Sequence, residues 1–267
     1  MAPLATRHWP AAASGRSRSA LLLHGITSSS GTWWRVGPAL AERGFDVVAA
    51  DLRGHGASPP GTPGTGLEGL AADVHDTARQ LADPSDGARV DLAVGHSLGA
   101  LVLMTLLGRQ PGLARFVVLE DPPAPAAVDW SRVADEIERD AGRARTDPEG
   151  LRAELLAPPA SLEPDDADIR VQSLAALDAR TAAAELRRGL DFDLAALAAA
   201  VRVPALLFLG TEERGSMTVG PARAAVATAL PQGWTEVVDC GHTVHREAFG
   251  SYMRRLDAWL ERVGARG

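Results

Sequence analysis

The positions of hydrophobic and polar residues along the chain predict an alternation of strands and helices. Short apolar runs predict six buried strands, at residues 20–23, 46–50, 90–94, 116–119, 205–209 and 235–238. Longer stretches with helical apolar spacing predict helices at residues 33–43, 67–81, 100–109, 221–230 and 249–263. Strands that alternate with helices form a mostly parallel, doubly wound sheet with helices on both faces. We therefore expect an α/β fold, in which ligands bind at the carboxyl ends of the strands.

The alternation stops between residues 122 and 202. This segment opens with prolines and has helical patterns at 130–145, 148–156 and 165–190, but no strand-like apolar run. Because structureless loops of about eighty residues are uncommon in compact domains, we interpret residues 122–202 as an inserted helical cap. Residues 1–121 and 203–267 then form the α/β core. A cap over the strand ends would shape a substrate pocket and exclude water; a bundle that only packs on the sheet is the alternative.

Composition narrows the function classes. The chain has 267 residues, of which 46% are hydrophobic, enough for one sizeable core with an elaboration. Its net charge is −7 and its 27 positive residues are spread along the chain, which argues against a nucleic-acid partner. All of them are arginine, so Schiff-base or phosphate-loop chemistry that requires a lysine is excluded.

The cysteine content and the lack of long apolar runs bear on the compartment. Cys240 is the only cysteine in the sequence and cannot form an internal disulfide, which fits a reducing environment. We expect it to act as a small buried hydrophobic residue. No apolar run reaches the length of a signal-peptide core or a membrane span. We therefore expect a cytoplasmic protein without a membrane partner, and the sequence leaves its oligomeric state open.

The pentapeptide Gly95-His96-Ser97-Leu98-Gly99 is the strongest candidate for chemistry. It follows a predicted strand and precedes a predicted helix, which is the context of a nucleophile elbow. A strand that turns abruptly into a helix crowds its backbone, so glycines are needed two positions on either side of the serine. Such a pentapeptide also arises by chance in a glycine-rich chain. The flanking strand and helix favour a nucleophilic role for Ser97.

Three further motifs accompany the elbow in a fixed order. They are His24-Gly25-Ile26-Thr27, the turn at residues 51–58, and the loop at residues 241–247. Together the four motifs resemble the α/β-hydrolase family, specifically its cap-bearing serine hydrolases, over nearly the whole chain. The resemblance implies that His242 is the general base for Ser97. It also implies an oxyanion hole formed by the amides of Ile26 and Leu98, and chemistry that needs no metal or organic cofactor.

Two carboxylates compete for the position behind His242. A serine and a histidine need an acid that accepts the Nδ1 proton and fixes the tautomer of the imidazole. Glu213 follows a predicted strand at the family's commonest site for the acid, but it departs from the usual aspartate and is one methylene longer. Asp121 lies at the alternative site of some capped relatives, and it precedes two prolines that hold the segment rigid. We favour Asp121 and keep Glu213 as the alternative; Glu120 would point to the opposite side, as a surface or loop contact.

The serine at the elbow also limits the reactions to consider. The dehalogenases and epoxide hydrolases of this fold use an aspartate there. The resemblance implies that the chain hydrolyses a carboxylic ester or lactone of a small-molecule substrate through an acyl-enzyme. Carbon–carbon bond hydrolysis, acyl transfer, and a non-catalytic member of the fold that only binds a ligand are the alternatives. Trp33, Trp34 and Trp130 are candidates for lining the substrate pocket, with aromatic packing as the alternative role.

Overall fold

The computed structural model describes residues 3–12, 17–81, 89–125, 128–160, 162–188 and 192–264. Seven strands in these ranges form one sheet. They are β1 (Thr6–Trp9), β2 (Arg18–Leu23), β3 (Phe45–Ala50), β4 (Val90–His96), β5 (Ala114–Glu120), β6 (Ala205–Leu209) and β7 (Gly233–Val237). Their order in the sheet is β1-β3-β2-β4-β5-β6-β7, in which β1 pairs antiparallel with β3 and every other pair is parallel. The predicted, mostly parallel α/β sheet is confirmed.

Eleven α-helices lie in the same described ranges. They are α1 (Val36–Glu42), α2 (Gly66–Leu81), α3 (Leu98–Arg109), α4 (Trp130–Thr146), α5 (Pro148–Leu156), α6 (Pro164–Ala176), α7 (Ala179–Arg187), α8 (Leu194–Ala199), α9 (Pro221–Ala229), α10 (Val244–Glu247) and α11 (Phe249–Arg262). The predicted helix at 165–190 is two helices, α6 and α7. The Asp178 side chain accepts the amide of Thr181 and so caps the start of α7, which separates the two.

The sheet is buried on both faces because helices cover each face, and successive side chains of a strand point to opposite faces. Leu206 and Phe208 of β6 pack in an apolar cluster with α1 and α11. Leu207, between them, packs in a second cluster with α2, α3, α8 and α9. The central strands therefore read as continuous apolar runs in the sequence, which is why their positions were predictable.

The helices between β5 and β6 divide into two groups by their packing. Helices α4 to α7 share an apolar cluster of their own that includes Ile137, Leu174 and Leu186. Helix α8 contacts α3 and α9, and its Leu194 and Ala198 belong to a cluster of the sheet. The segment Leu194–Ala199, which the sequence assigned to the cap, thus packs with the core. The division of the chain at residues 122 and 202 stays a prediction.

Strand β1 has no counterpart among the strands expected from the sequence. Three of its four residues are exposed, so it lacks the apolar run that marks a buried strand. It lies at one edge of the sheet, where a polar strand is tolerated. Across the described ranges, no helix combines the length and hydropathy that crossing a membrane requires.

Candidate active site

Ser97 lies at the abrupt turn between β4 and α3. Its φ of 53° and ψ of −117° are strained for a residue with a side chain. A side-chain carbon on Gly95 would lie 2.5 Å from the carbonyl oxygen of Gly99, and one on Gly99 would collide with the carbonyl of Leu23. Both glycines are therefore required for the turn to close, as the nucleophile-elbow interpretation expects.

The loop after β2 packs directly against this turn. A side-chain carbon on Gly25 would lie 2.9 Å from Nδ1 of His96 and 3.2 Å from Cβ of Ser97. The next residue, Ile26, turns its carbonyl oxygen to Nε2 of His55, 2.7 Å away. Leu98 is the first residue of α3, so its amide has no acceptor within the helix. The structure thus places the loop that carries Ile26 and the first residue of α3 next to Ser97.

Asp121, directly after β5, contacts His242, which lies in the loop after β7. The Nδ1 of His242 lies 2.6 Å from Oδ2 of Asp121, and the Asp121 side chain is completely buried. Ser216 donates its hydroxyl to Oδ1 of Asp121 at 2.6 Å, and the amide of Met217 donates to Oδ2 at 2.8 Å. The carboxylate is therefore fixed by donors to both of its oxygens. Its negative charge can stabilise the positive charge of an imidazolium at His242.

Glu213, the alternative acid, lies elsewhere. It belongs to an exposed 3₁₀ turn, Glu212–Arg214, and its carboxylate forms no hydrogen bond with any described residue. The loop after β6 instead directs Ser216 and Met217 toward Asp121. Of the two carboxylates that the sequence proposed, only Asp121 is within hydrogen-bond distance of His242 in the described part of the chain.

Ser97 and His242 border the same cavity, which has a volume of about 1330 Å³. The His96 ring packs against His242: its centroid lies 4.7 Å from that of His242, and its Nε2 donates to the His242 carbonyl at 3.1 Å. No hydrogen bond joins Ser97 Oγ to His242 Nε2 among the described residues. Catalytic hydrogen bonds are often long until a substrate binds. The lack of a direct hydrogen bond between Ser97 and His242 is therefore compatible with proton transfer in a complex with substrate.

The cavity is bordered by both the core and the helices α4 to α7. Ile26 and Leu98 line it from the core, and Trp130 lines it from the start of α4. Trp33 is completely buried in the core and stacks on His245, with ring centroids 4.2 Å apart. Trp34 donates its indole N–H to Asp166 of α6. Of the three proposed tryptophans the structure places Trp130 at the cavity, whereas Trp33 has the alternative packing role.

A second histidine–carboxylate pair lies beside the first. Glu120 is completely buried, so the expectation of a surface or loop contact is wrong. Its Oε1 accepts the backbone N–H of His245 at 3.0 Å and lies 2.8 Å from Nδ1 of the same residue. The Nε2 of His245 lies 3.0 Å from the hydroxyl of Thr32. Glu120 therefore holds the first turn of α10, three residues after His242, against the end of β5.

Several other buried groups are neutral by virtue of their surroundings. Burial, followed by the neighbouring His55, lowers the pKa of His24 to about 3, so its Nδ1 donates to Gly25 and its Nε2 accepts the amide of Leu52. Burial likewise holds the pKa of His96 well below its ordinary value. Burial raises the pKa of the Cys240 thiol to about 12, which leaves it protonated and without nucleophilic character near neutral pH.

Nearly all of these strands and helices lie within the match to one known protein family. The model of the alpha/beta hydrolase family matches residues 20–251, from β2 through the first residues of α11. The chain belongs to the α/β-hydrolase family. This α/β-hydrolase is an enzyme, as are the named hydrolases to which it is similar.

Relatives and solved structures agree with this family membership. The 2-(acetamidomethylene)succinate hydrolase of Mesorhizobium japonicum is 30% identical over 210 residues, which are 73% of this chain and 70% of the relative. The N-formylmaleamic acid deformylase of Pseudomonas putida is 22% identical, with a TM-score of 0.77 and 94% of both chains covered. The enol-lactonase of Burkholderia xenovorans is 21% identical, with a TM-score of 0.74 over 97% of this chain and 96% of that chain. At these identities, the two solved structures show the shared fold.

Some residues of the site in this α/β-hydrolase were not expected from the sequence. Ser216 and Met217 carry no local signal, because they reach Asp121 only through the path of the loop after β6. Glu120 did carry one: two adjacent carboxylates stand at the end of a buried strand, and each contacts one of two neighbouring histidines. Among the described residues, no group of three or more histidine, cysteine, aspartate or glutamate side chains could hold a metal ion.

The Glu120–His245 contact predicts a large effect on stability. We expect Glu120→Ala to lower the free energy of unfolding by about 3 kcal/mol, because it leaves His245 and its amide buried without an acceptor. Urea denaturation followed by circular dichroism measures the change. Glu213→Ala is the matched control, since an exposed carboxylate should change stability by less than about 0.5 kcal/mol. Equal effects of the two substitutions would contradict a structural role for the Glu120 pair.

Proposed function

We propose that this α/β-hydrolase cleaves a carboxylic ester or lactone of a small molecule through an acyl-enzyme. The observation that carries the proposal is the 2.6 Å contact between His242 Nδ1 and the buried carboxylate of Asp121, at the cavity that Ser97 also borders. A histidine held in this way presents Nε2 as a base. Ser97, at a strained turn that leads into a buried helix, is the nucleophile whose proton such a base would accept.

The proposed reaction has two halves. In the first, Ser97 Oγ bonds to the carbonyl carbon while its proton passes to His242 Nε2 and an electron pair moves onto the carbonyl oxygen. The amides of Ile26 and Leu98 stabilise the negative charge on that oxygen. When the tetrahedral species collapses, the carbon–oxygen bond to the alcohol breaks and the alcohol takes the proton from His242. In the second half, water repeats these steps on the acyl-enzyme and releases the acid and free Ser97.

Asp121 has a role in both halves. It accepts the Nδ1 proton of His242, which leaves Nε2 free to receive the Ser97 proton, and it stabilises the imidazolium that forms. Its bonds from Ser216 and Met217 keep both oxygens in place during the transfer. No step of this scheme requires a metal or an organic cofactor.

Hydrolysis of an amide-like acyl group is a second candidate. The curated relative is named for an acetamido-bearing substrate, and it aligns with 73% of this chain. The same residues would act on such a bond, because the leaving nitrogen takes its proton from His242 in the same way as an alcohol. Paired ester and amide substrates with one acyl group separate the two candidates by their relative kcat/KM.

Covalent labelling tests the proposal directly. We expect a fluorophosphonate probe to add once per chain, and peptide mass spectrometry to place the adduct on Ser97. A panel of p-nitrophenyl esters and a simple lactone should be turned over by the unlabelled protein and not by the labelled one. Absence of labelling would favour a non-catalytic member of the fold. Labelling of Ser97 without turnover of any ester or lactone would contradict ester and lactone hydrolysis.

A further inference from the structure

Six arginines border the cavity of Ser97, and two of them, Arg170 and Arg246, lie on different elements of the fold. Arg170 extends from α6, and Arg246 lies on α10, four residues after His242. Neither side chain forms an ion pair with a carboxylate among the described residues. Charged groups at a partly buried site are normally paired, so two guanidinium groups without a carboxylate partner at one cavity favour an anionic ligand.

Arg170 lies next to the loop that carries Ile26. Its Nη1 donates to the carbonyl oxygen of Thr27 at 3.1 Å and also contacts the Thr27 hydroxyl. Both of these acceptors are neutral, and its other two nitrogens have no partner among the described residues. Burial, followed by the charge of Arg246, lowers the pKa of Arg170 to about 10, so the group still carries its charge at neutral pH. The open side of this guanidinium therefore presents donors to the cavity.

Arg246 lies close to both Arg170 and the elbow. Its positive charge lowers the pKa of Arg170 and also that of His96, the residue before Ser97. Its Nε is buried and has no hydrogen-bond partner in the described part of the chain. Two like charges held near each other cost free energy that an anion between them would recover.

Asp166, an acid whose charge acts on Arg246, already has two other partners. Asp166 is buried on α6, where its Oδ1 accepts the indole N–H of Trp34 at 3.0 Å and its Oδ2 accepts Nη2 of Arg35 at 2.5 Å. It thus balances Arg35, which in turn contacts the backbone carbonyl of Arg246 at 3.3 Å. The charges of Asp140 and of Glu247 and Glu120 also act on Arg170 and Arg246 respectively, but none of these three acids forms an ion pair with either arginine among the described residues.

We propose that Arg170 and Arg246 bind a carboxylate of the substrate, so that the enzyme acts on acyl compounds that carry a free carboxylate besides the bond it cleaves. The planar fork of a guanidinium matches the two oxygens of a carboxylate. Arg170 beside the oxyanion loop and Arg246 beside the His242 loop would together hold the substrate so that its carbonyl meets Ser97. This assignment of a substrate class rests on the proposed hydrolase function of the same site.

Two esters that differ by one carboxylate test the proposal. Mono-p-nitrophenyl adipate and p-nitrophenyl hexanoate have the same leaving group and the same number of acyl carbons. We expect kcat/KM of the wild type to be at least about tenfold higher for the adipate ester, which is the size of effect that a charge-assisted hydrogen bond gives. The ratio of the two values should fall toward one in Arg170→Gln and in Arg246→Gln, and recover in part in Arg246→Lys.

A binding measurement separates failure of this proposal from failure of the hydrolase function. The Ser97→Ala variant is titrated calorimetrically with monomethyl adipate and with dimethyl adipate. We expect saturable binding of the charged monoester only, and its loss when Arg246→Gln is added. Arg109→Gln, at an exposed ion pair with Glu68 far along α3, is the charge-matched control and should leave the kcat/KM ratio unchanged.

Each outcome has a distinct meaning. Equal kcat/KM for the two esters, together with equal binding of the two methyl esters, would overturn the carboxylate site and leave ester hydrolysis intact. Arginine-dependent binding of monomethyl adipate without turnover of either p-nitrophenyl ester would support the carboxylate site and contradict ester hydrolysis. A ratio that falls equally in Arg109→Gln would overturn the specific contact, since long-range attraction would then explain the preference.

Discussion

The Ser97→Ala variant is expected to lose turnover of its best ester by a factor on the order of a million, while it stays folded. The loss is this large because the variant has no oxygen to form the acyl-enzyme, and His242 then has no hydroxyl proton to accept. Alanine keeps the Cβ that the strained φ of 53° already tolerates, so the turn between β4 and α3 should not change. Steady-state kinetics of purified protein, with circular dichroism as the check on folding, measures the effect.

Ser251→Ala is the matched control for this variant. Its hydroxyl borders the same cavity from α11, where it accepts a hydrogen bond from Arg255. Turnover by Ser251→Ala should remain within about twofold of the wild type, as is usual for a partly exposed polar side chain away from the chemistry. If Ser97→Ala retained more than about a tenth of wild-type kcat/KM, an attack by Ser97 could not be the main route.

The elbow was predictable because the strand, the turn and the helix that form it are consecutive in the sequence. A strand, two glycines around a serine and a helix stand consecutively in the sequence, and the close approach of Gly95 to Gly99 is set within those five residues. The same holds for the central strands, whose apolar runs mark burial on both faces. Strand β1 escaped prediction because an exposed edge strand has no apolar run.

The choice between the two acids could not be made from local sequence in the same way. Two prolines after Asp121 suggested rigidity, but the groups that hold its carboxylate are Ser216 and Met217, almost a hundred positions later. Whether Glu213 or its neighbours approach His242 depends on how the loop after β6 turns, which no short pattern encodes. The unpaired state of Arg170 and Arg246 is equally non-local, because it depends on Asp166 being engaged by Trp34 and Arg35.

Asp121→Asn should lower kcat by a factor on the order of a thousand to ten thousand, with little change in KM. An asparagine would present its NH₂ group either toward His242 Nδ1 and the Met217 amide or toward the Ser216 hydroxyl and the Gly210 amide, so one donor would always face another. The imidazole would then no longer be held with its proton on Nδ1, and the imidazolium would lose the negative charge that stabilises it. Thermal unfolding should show a folded protein, since the substitution conserves volume.

Glu213→Gln decides between the two carboxylates. Its side chain is exposed and forms no hydrogen bond with a described residue, so kcat should stay within about twofold of the wild-type value. The comparison is sharpest in the pH dependence of kcat, because loss of the true acid changes the protonation of the base, whereas loss of a surface carboxylate does not. A large loss in Glu213→Gln with near-normal turnover in Asp121→Asn would contradict the role of Asp121. It would mean that the loop after β6 rearranges to bring Glu213 to His242 when substrate binds.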